Sequence, residues 1–160
     1  MPPRAELLKI RSAVVQTSQG DFLMELFPDI APVHVANFKF LADKGFYNGL
    51  SFHLVQNDYI VQGGDPSGSG NGGPTYSLLP EFSEKHHVRG SVGMARRADD
   101  INPQRLSNGS QFHILLREAR HMDKKYTIFG EVIDGLEVIE KLRPGDKIKS
   151  IRVFVRKDAR

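Results

Sequence analysis

The sequence predicts an all-β fold: an eight-stranded antiparallel sheet closed into a barrel and capped by two α-helices. Three observations predict it. About eight short apolar runs recur along the chain, each bounded by Gly, Pro, Asn or Asp clusters that mark turns. Two segments carry the i, i+3, i+4 spacing of a one-faced helix. Strands and helices do not alternate in β-α-β order, which argues against a parallel sheet and for an antiparallel one that covers its open ends with helices. With 160 residues, the chain suits one domain that buries about 68–70% of its unfolded surface. The expected division is a tail at 1–10, a domain at 11–156 and a C-terminal tail at 157–160.

The elements follow in order. Residues 1–9 are a short tail with room for one helical turn. Ala13-Val14-Val15 reads as a strand over 11–17, Ser18-Gln19-Gly20-Asp21 as a turn, and Phe22-Leu23-Met24-Glu25-Leu26-Phe27 as the returning strand of a hairpin. Pro28-Asp29 breaks the strand. Pro32 suits the first turn of a helix, where its missing N–H is no loss. Val33, Ala36, Asn37, Phe40 and Leu41 mark its apolar face, and Gly45 marks its stop. Two short strands at 51–65 flank a turn at Gln56-Asn57-Asp58. A Gly-, Ser- and Pro-rich segment from 64 to 90 is too long for a plain connection and reads as a functional or locally packed loop. Small residues at 90–95 make a strand whose face something else can approach. Further strands are expected at 111–116 and 126–133. Asp134, with Glu137 three residues on, suits the N-cap of a second helix, whose stripe is Val138, Ile139 and Leu142. Ile151, Val153 and Val155 alternate with polar and aromatic residues in a last strand.

Composition excludes several functions. Hydrophobic residues are 39% and charged residues 26%, ordinary for a globular protein. No run of 18 apolar residues offers a membrane span. The first residues have no apolar core and carry Glu6, unlike a secretory signal, so the cytoplasm is the expected location. There are no cysteines, hence neither disulfides nor thiol catalysis. The net charge is +3, with basic residues at Arg96-Arg97, 117–125 and the C-terminus. A nucleic-acid surface shows a denser patch with interleaved aromatics, so this reads as a solvated exterior and no nucleic-acid partner is expected. Gly68-Ser69-Gly70-Asn71-Gly72-Gly73 matches G-x-G-x-x-G. However, Asp65-Pro66 separates it from the strand and no helix pattern follows, so it is not a dinucleotide site. His86-His87 lacks companions at metal-ligand spacing and reads as an exposed loop pair.

Two stretches carry the chemistry. Ser51 to Asp65 places Phe52, His53, Tyr59 and Gln62 among strand residues where a plain core would have Val and Ile, and closes on Gly63-Gly64-Asp65. Asn108-Gly109-Ser110-Gln111-Phe112-His113-Ile114-Leu115 has the same character. A Gln in an apolar strand is costly if buried without partners, and Gln62 and Gln111 flanking one groove fit a peptide-binding face. Asn108-Gly109-Ser110 is chiefly a turn.

These motifs resemble the cyclophilin-type peptidyl-prolyl cis-trans isomerases over about 11–155. The family pattern is Phe-His-Arg, then an aromatic, then Gln-Gly-Gly-Asp, and later Asn-Gly-Ser-Gln-Phe-Phe. Leu54 stands where the family has its catalytic Arg, His113 where it usually has Phe, His121 where Trp is common, and Tyr126 where it has His or Tyr. The resemblance implies the eight-stranded, two-helix barrel and a set of catalytic positions at Leu54, Tyr59, Gln62, His113 and Tyr126. It implies substrate contacts from Ile60, Ala95, Arg96, Gln111, His121 and Met122, with the backbone at Ala95 and Arg96 pairing with the peptide. No metal and no cofactor are implied. The expected partners are proline-containing polypeptides, with weakened binding of cyclosporin-type ligands because His121 lacks the indole, and a monomer is the default. The leading expectation is a weakly active isomerase assisting protein folding. The alternative is a silent proline-peptide binding module, since Leu54 cannot donate a hydrogen bond. Arg96 and Arg97 are the candidates to supply the missing cation.

Overall fold

Alternation of apolar and polar residues builds the first hairpin. β1 (Ile10–Thr17) and β2 (Gly20–Leu26) pair antiparallel, with Thr17 opposite Gly20. Ala13, Val15, Phe22, Met24 and Leu26 turn inward and are buried. Gly20 closes the turn at a φ of 125°, a region open to glycine because it has no Cβ. The structure is a computed structural model that describes residues 1–157. Of the C-terminal tail expected at 157–160, all but Lys157 lies outside the described residues.

The remaining strands are β3 (Leu54–Gln56), β4 (Ile60–Gly63), β5 (Ser77–Leu78), β6 (Ser91–Met94), β7 (Ser107–Asn108), β8 (Phe112–Leu115), β9 (Ile128–Asp134) and β10 (Ile148–Val155). Eight of them form one curled antiparallel sheet in the order β10-β1-β2-β9-β6-β8-β4-β3, and β5 pairs with β7 in a small second sheet. No ladder joins the edge strands β3 and β10 among the described residues. The chain just before β3 spans that seam instead, through a Ser51–Lys147 bridge and a backbone bond from Ile148 to Leu50 of 2.8 Å. Inside the curl, Phe38, Tyr47, Phe52, Phe112 and Phe129 are fully buried, with ring centroids 5.2–6.4 Å apart where they meet. Offset and edge-on pairs of this kind suit the ring quadrupole.

The helices correct several expectations. The turn expected near the N-terminus is α1 (Arg4–Leu7), and it puts Leu7 into the core. The first long helix, α2 (Pro32–Asp43), starts with Pro32 and is followed by Gly45 at a φ of 72°, as expected. Its inward face is one position away from the expected stripe. His34, Val35, Phe38, Leu41 and Ala42 are buried, whereas Phe40 is 51% exposed under the Lys44 ammonium. The register is decided by His34, which sequence periodicity counts as polar. Its ring bonds Glu81 at 2.6 Å and Ser107 at 2.8 Å. Glu81 also takes the Val33 and His34 N–H groups, so a residue 47 positions away caps the helix that Ala31 leaves uncapped. α3 (Leu136–Lys141) buries Val138 and Ile139 as expected, but its N-cap is Gly135. Asp134 instead ends β9, and the left-handed Gly135 (φ 95°) makes the corner. No helix among the described residues is long and apolar enough to cross a membrane.

Candidate active site

The site begins at the β3–β4 hairpin. Leu54 pairs with Gln62 and Gln56 with Ile60, so all four side chains lie on one face of the sheet. The expected turn at 56–58 is therefore one residue early: Gln56 belongs to β3, and Asn57, Asp58 and Tyr59 turn the chain, with Asp58 at a φ of 61°. β4 in turn pairs with β8, setting Gln62 opposite His113. Next to β8, β6 sets Gly93 opposite His113. A Cβ at Gly93 would lie 2.6 Å from His113 Nε2. The small residues of this strand thus make room for the His113 ring.

These elements enclose a cavity of about 250 Å³ lined by Leu54, Gln56, Tyr59, Ile60, Gln62, Ala95, Arg96, His113, His121, Met122 and Tyr126. Ten of the positions named from sequence meet there. Gln111 does not. It is 1% exposed and lines the adjoining cavity of about 170 Å³, together with Arg97, Asn102 and Asn108. Gln56 is the lining residue missed from sequence, because it was placed in the turn. The period-2 pattern Leu54, Gln56 was the available signal.

A connected set of hydrogen bonds holds the floor between the two cavities. Asp65 is 1% exposed and takes bonds from the Ser67 N–H and hydroxyl and from the Gly70 and Gly72 N–H groups. Burial raises its carboxyl pKa, but these bonds outweigh burial and leave it at about 2. The carbonyls of Gly70 and Gly72 receive the Gln111 amide at 3.0 and 2.6 Å. Gln111 Oε1 then accepts from Gln62 at 3.0 Å. The Gly68–Gly73 run is thus a loop wound on a carboxylate. At the rim, the Ala95 N–H and carbonyl are both occupied, by Gln111 and Asn108. The Arg96 main-chain N–H and carbonyl make no backbone–backbone bond among the described residues.

Arg96 and Arg97 both make hydrogen bonds within the protein. The Arg96 side chain is 5% exposed. Its guanidinium lies 4.4 Å over the Tyr126 ring and donates to the carbonyls of Lys125 and Arg97 and to Asp99. Arg97 turns toward Asn71, on the side of the second cavity. On the opposite wall the Tyr59 hydroxyl bonds His121 Nε2 at 3.1 Å, and the Arg117 guanidinium covers the Tyr59 ring at 4.3 Å.

His113 is 2% exposed, and its Nε2 finds no partner among the described residues. Burial, reinforced by the charge of His87, pushes its pKa down to about 3, so the ring is neutral at ordinary pH. The pair His86-His87 corrects the sequence expectation. Only His86 is exposed; His87 is buried, and both rings bond the Asp123 carboxylate at 2.6 and 3.0 Å. Burial lowers the His87 pKa, opposed by Asp123. No cluster able to hold a metal occurs among the described residues.

Comparison with known proteins follows this geometry. The profile of the cyclophilin type peptidyl-prolyl cis-trans isomerase family matches residues 12–156. A peptidyl-prolyl cis-trans isomerase of Helicobacter pylori is 39% identical over 150 residues, covering 91% of this chain and 88% of that protein. Peptidyl-prolyl cis-trans isomerase B of Bacillus subtilis is 40% identical over 131 residues, covering 81% and 87%. A cyclophilin type isomerase of Cryptosporidium parvum superposes with a TM-score of 0.82 at 30% identity, over 92% of this chain and 99% of that one. A second crystal structure of that Cryptosporidium protein, in the presence of the dipeptide Ala-Pro, superposes with a TM-score of 0.79.

Proposed function

The chain belongs to the cyclophilin-type peptidyl-prolyl cis-trans isomerase family, and we propose that it turns exposed X-Pro bonds of polypeptides at a reduced rate. Rotation about an amide faces a barrier of about 18–20 kcal/mol from resonance. It breaks no bond, so catalysis rests on holding the twisted amide better than the planar ones. An apolar pocket must fix the proline ring, polar groups must grip the carbonyl side, and a donor near the proline nitrogen must favour its pyramidal form. The first two are supplied. Ile60, Met122 and the rings of Tyr59, His113 and Tyr126 form the pocket, and the Gln62–Gln111 pair is the grip. The observation that carries the reading is this intact cavity with Leu54 at the place of the family's cation. The crystal structure of the Cryptosporidium protein in the presence of the dipeptide Ala-Pro supports proline peptides as the ligand. The same reading has the protein act in the cytoplasm as a monomer on folding chains. It needs no cofactor, because rotation transfers no atom or electron.

Leu54 also favours a second reading, a proline-peptide binder without turnover. Loss of a preorganised donor costs about 10²–10³ in rate. Exchange NMR on a proline tetrapeptide, wild type beside Leu54→Arg, separates the two. The expected result is measurable turnover in the wild type and a gain of at least tenfold in Leu54→Arg. Binding with no turnover in the wild type, and turnover created by Leu54→Arg, would establish the silent binder.

A further inference from the structure

We infer that Gln56 supplies the donor that Leu54 cannot: its side-chain amide, on the same face of β3 and opposite Ile60, hydrogen-bonds the proline nitrogen of the twisted amide. The inference rests on the isomerase reading. It comes from asking which exposed side chain lining the cavity keeps its whole donor group free of the protein.

The other donors are held, at least in part, by the protein itself. Gln62 gives one of its two amide N–H groups to Gln111 at 3.0 Å. Arg96 gives its Nε and Nη1 groups to Lys125, Arg97 and Asp99 and lies over the Tyr126 ring at 4.4 Å. The Tyr59 hydroxyl and His121 Nε2 share one hydrogen bond. His113 has an unpartnered Nε2, but that atom is buried against Gly93. Gln56 is exposed, and its amide has no hydrogen bond among the described residues. Its place is also right. It lies one pleat, roughly 6.5 Å, along the strand from Leu54. It faces Ile60 directly across the hairpin, at the mouth of the pocket that holds the ring.

The chemistry needs no proton transfer. As the C–N bond twists, the nitrogen regains a lone pair, and the Gln56 Nε2–H donates to it; the proton stays on Nε2 throughout, and the bond lapses when planarity returns. A neutral amide is a weaker donor than a guanidinium, since charge-assisted hydrogen bonds are roughly twice as strong as neutral ones. A shift of the donor from position 54 to position 56 therefore gives an enzyme that is slowed and still active.

The test is exchange NMR on a proline tetrapeptide with wild type, Gln56→Met, Gln56→Lys and the double variant Leu54→Arg/Gln56→Met, reading turnover and peptide Kd separately. Met keeps the length and removes the donor, so turnover should fall at least tenfold with Kd unchanged within twofold. Lys keeps a donor and should hold or raise turnover. The double variant should recover turnover, which assigns the loss to the donor. Turnover in Gln56→Met within twofold of wild type overturns the assignment and leaves the isomerase reading standing. Parallel losses in Kd and turnover, or no recovery in the double variant, also overturn it. A wild type that binds the peptide without turning it over overturns both readings.

Discussion

His34 and His113 are both buried imidazoles, 0% and 2% exposed, yet their surroundings differ in kind. His34 has a partner on each ring nitrogen, Glu81 and Ser107. It ties α2 to the loop before β6 and to β7, and it does not line the cavity. His113 lines the cavity, leaves its Nε2 without a partner among the described residues, and has its charge suppressed by burial. A buried polar group that is fully satisfied holds the fold, whereas one left partly unsatisfied needs another justification. At His113 the proposed justification is position, since the ring lines the cavity.

The largest effect expected from this contrast is on stability. His34→Leu keeps the volume but strips two hydrogen bonds and leaves the buried Ser107 hydroxyl without a partner. Each group orphaned in this way costs about 1–3 kcal/mol. Urea unfolding should show a loss of about 3 kcal/mol, with peptide binding in the folded fraction unchanged. A loss below about 1 kcal/mol would mean that the paired imidazole is no better than an apolar filling, and the contrast with His113 would collapse.

The second effect is smaller and depends on pH. The folded-state pKa of His113 is about 3 and its ordinary value is 6.5. Between these values the unfolded chain binds the proton that the folded chain refuses. The stability contributed by the neutral ring is therefore full above about 6.5 and is lost as pH falls toward 3. Tyr126 packs edge-on against the ring at 5.8 Å and also meets the His87 ring edge-on at 6.4 Å, and the His87 pKa is lowered in the same direction. His113→Phe should be neutral to about 1 kcal/mol stabilising at pH 7, because it removes an unpartnered polar atom. Its advantage should widen below pH 6.5 by at most about 1.4 kcal/mol per pH unit. A constant difference from pH 7 to pH 4 would show that the imidazole charges freely in the fold.

The same pair shows how far the sequence could be read. His113 was named from the resemblance of the Asn108–His113 stretch to the family pattern, and it does line the cavity. His34 was not. Its partners are 47 and 73 positions away, and no local pattern announces that a polar residue will be buried by distant ones. The misplaced face of α2 follows directly: periodicity ranks Phe40 above His34, and only tertiary pairing reverses them. Gln56 was missed for a related reason. Asn and Asp at 57–58 signal a turn strongly, and the turn begins one residue later than the polar run suggests. The cap of α3 went to Gly135 because the strand claims Asp134. The order of the strands, the Asp65-centred loop and the β5–β7 pair rest on contacts between segments that share no sequence pattern.

A third imidazole sharpens the comparison with the smallest expected effect on the fold. His121 is exposed, and its single bond, to the Tyr59 hydroxyl at 3.1 Å, lies at the surface. Exposed pairs of this sort contribute a few tenths of a kcal/mol, so His121→Trp should alter stability by less than about 0.5 kcal/mol. Its effect should appear in recognition instead. An indole adds ring area and an N–H donor next to Met122 and Tyr59, and Trp is among the residues enriched at binding hot spots. A cyclosporin-type ligand should bind the Trp variant at least tenfold more tightly than the natural protein in a calorimetric titration. Equal affinity would mean that the ligand's grip lies wholly on the Gln62 and Ile60 side. The rim imidazole would then serve neither the fold nor recognition of that ligand.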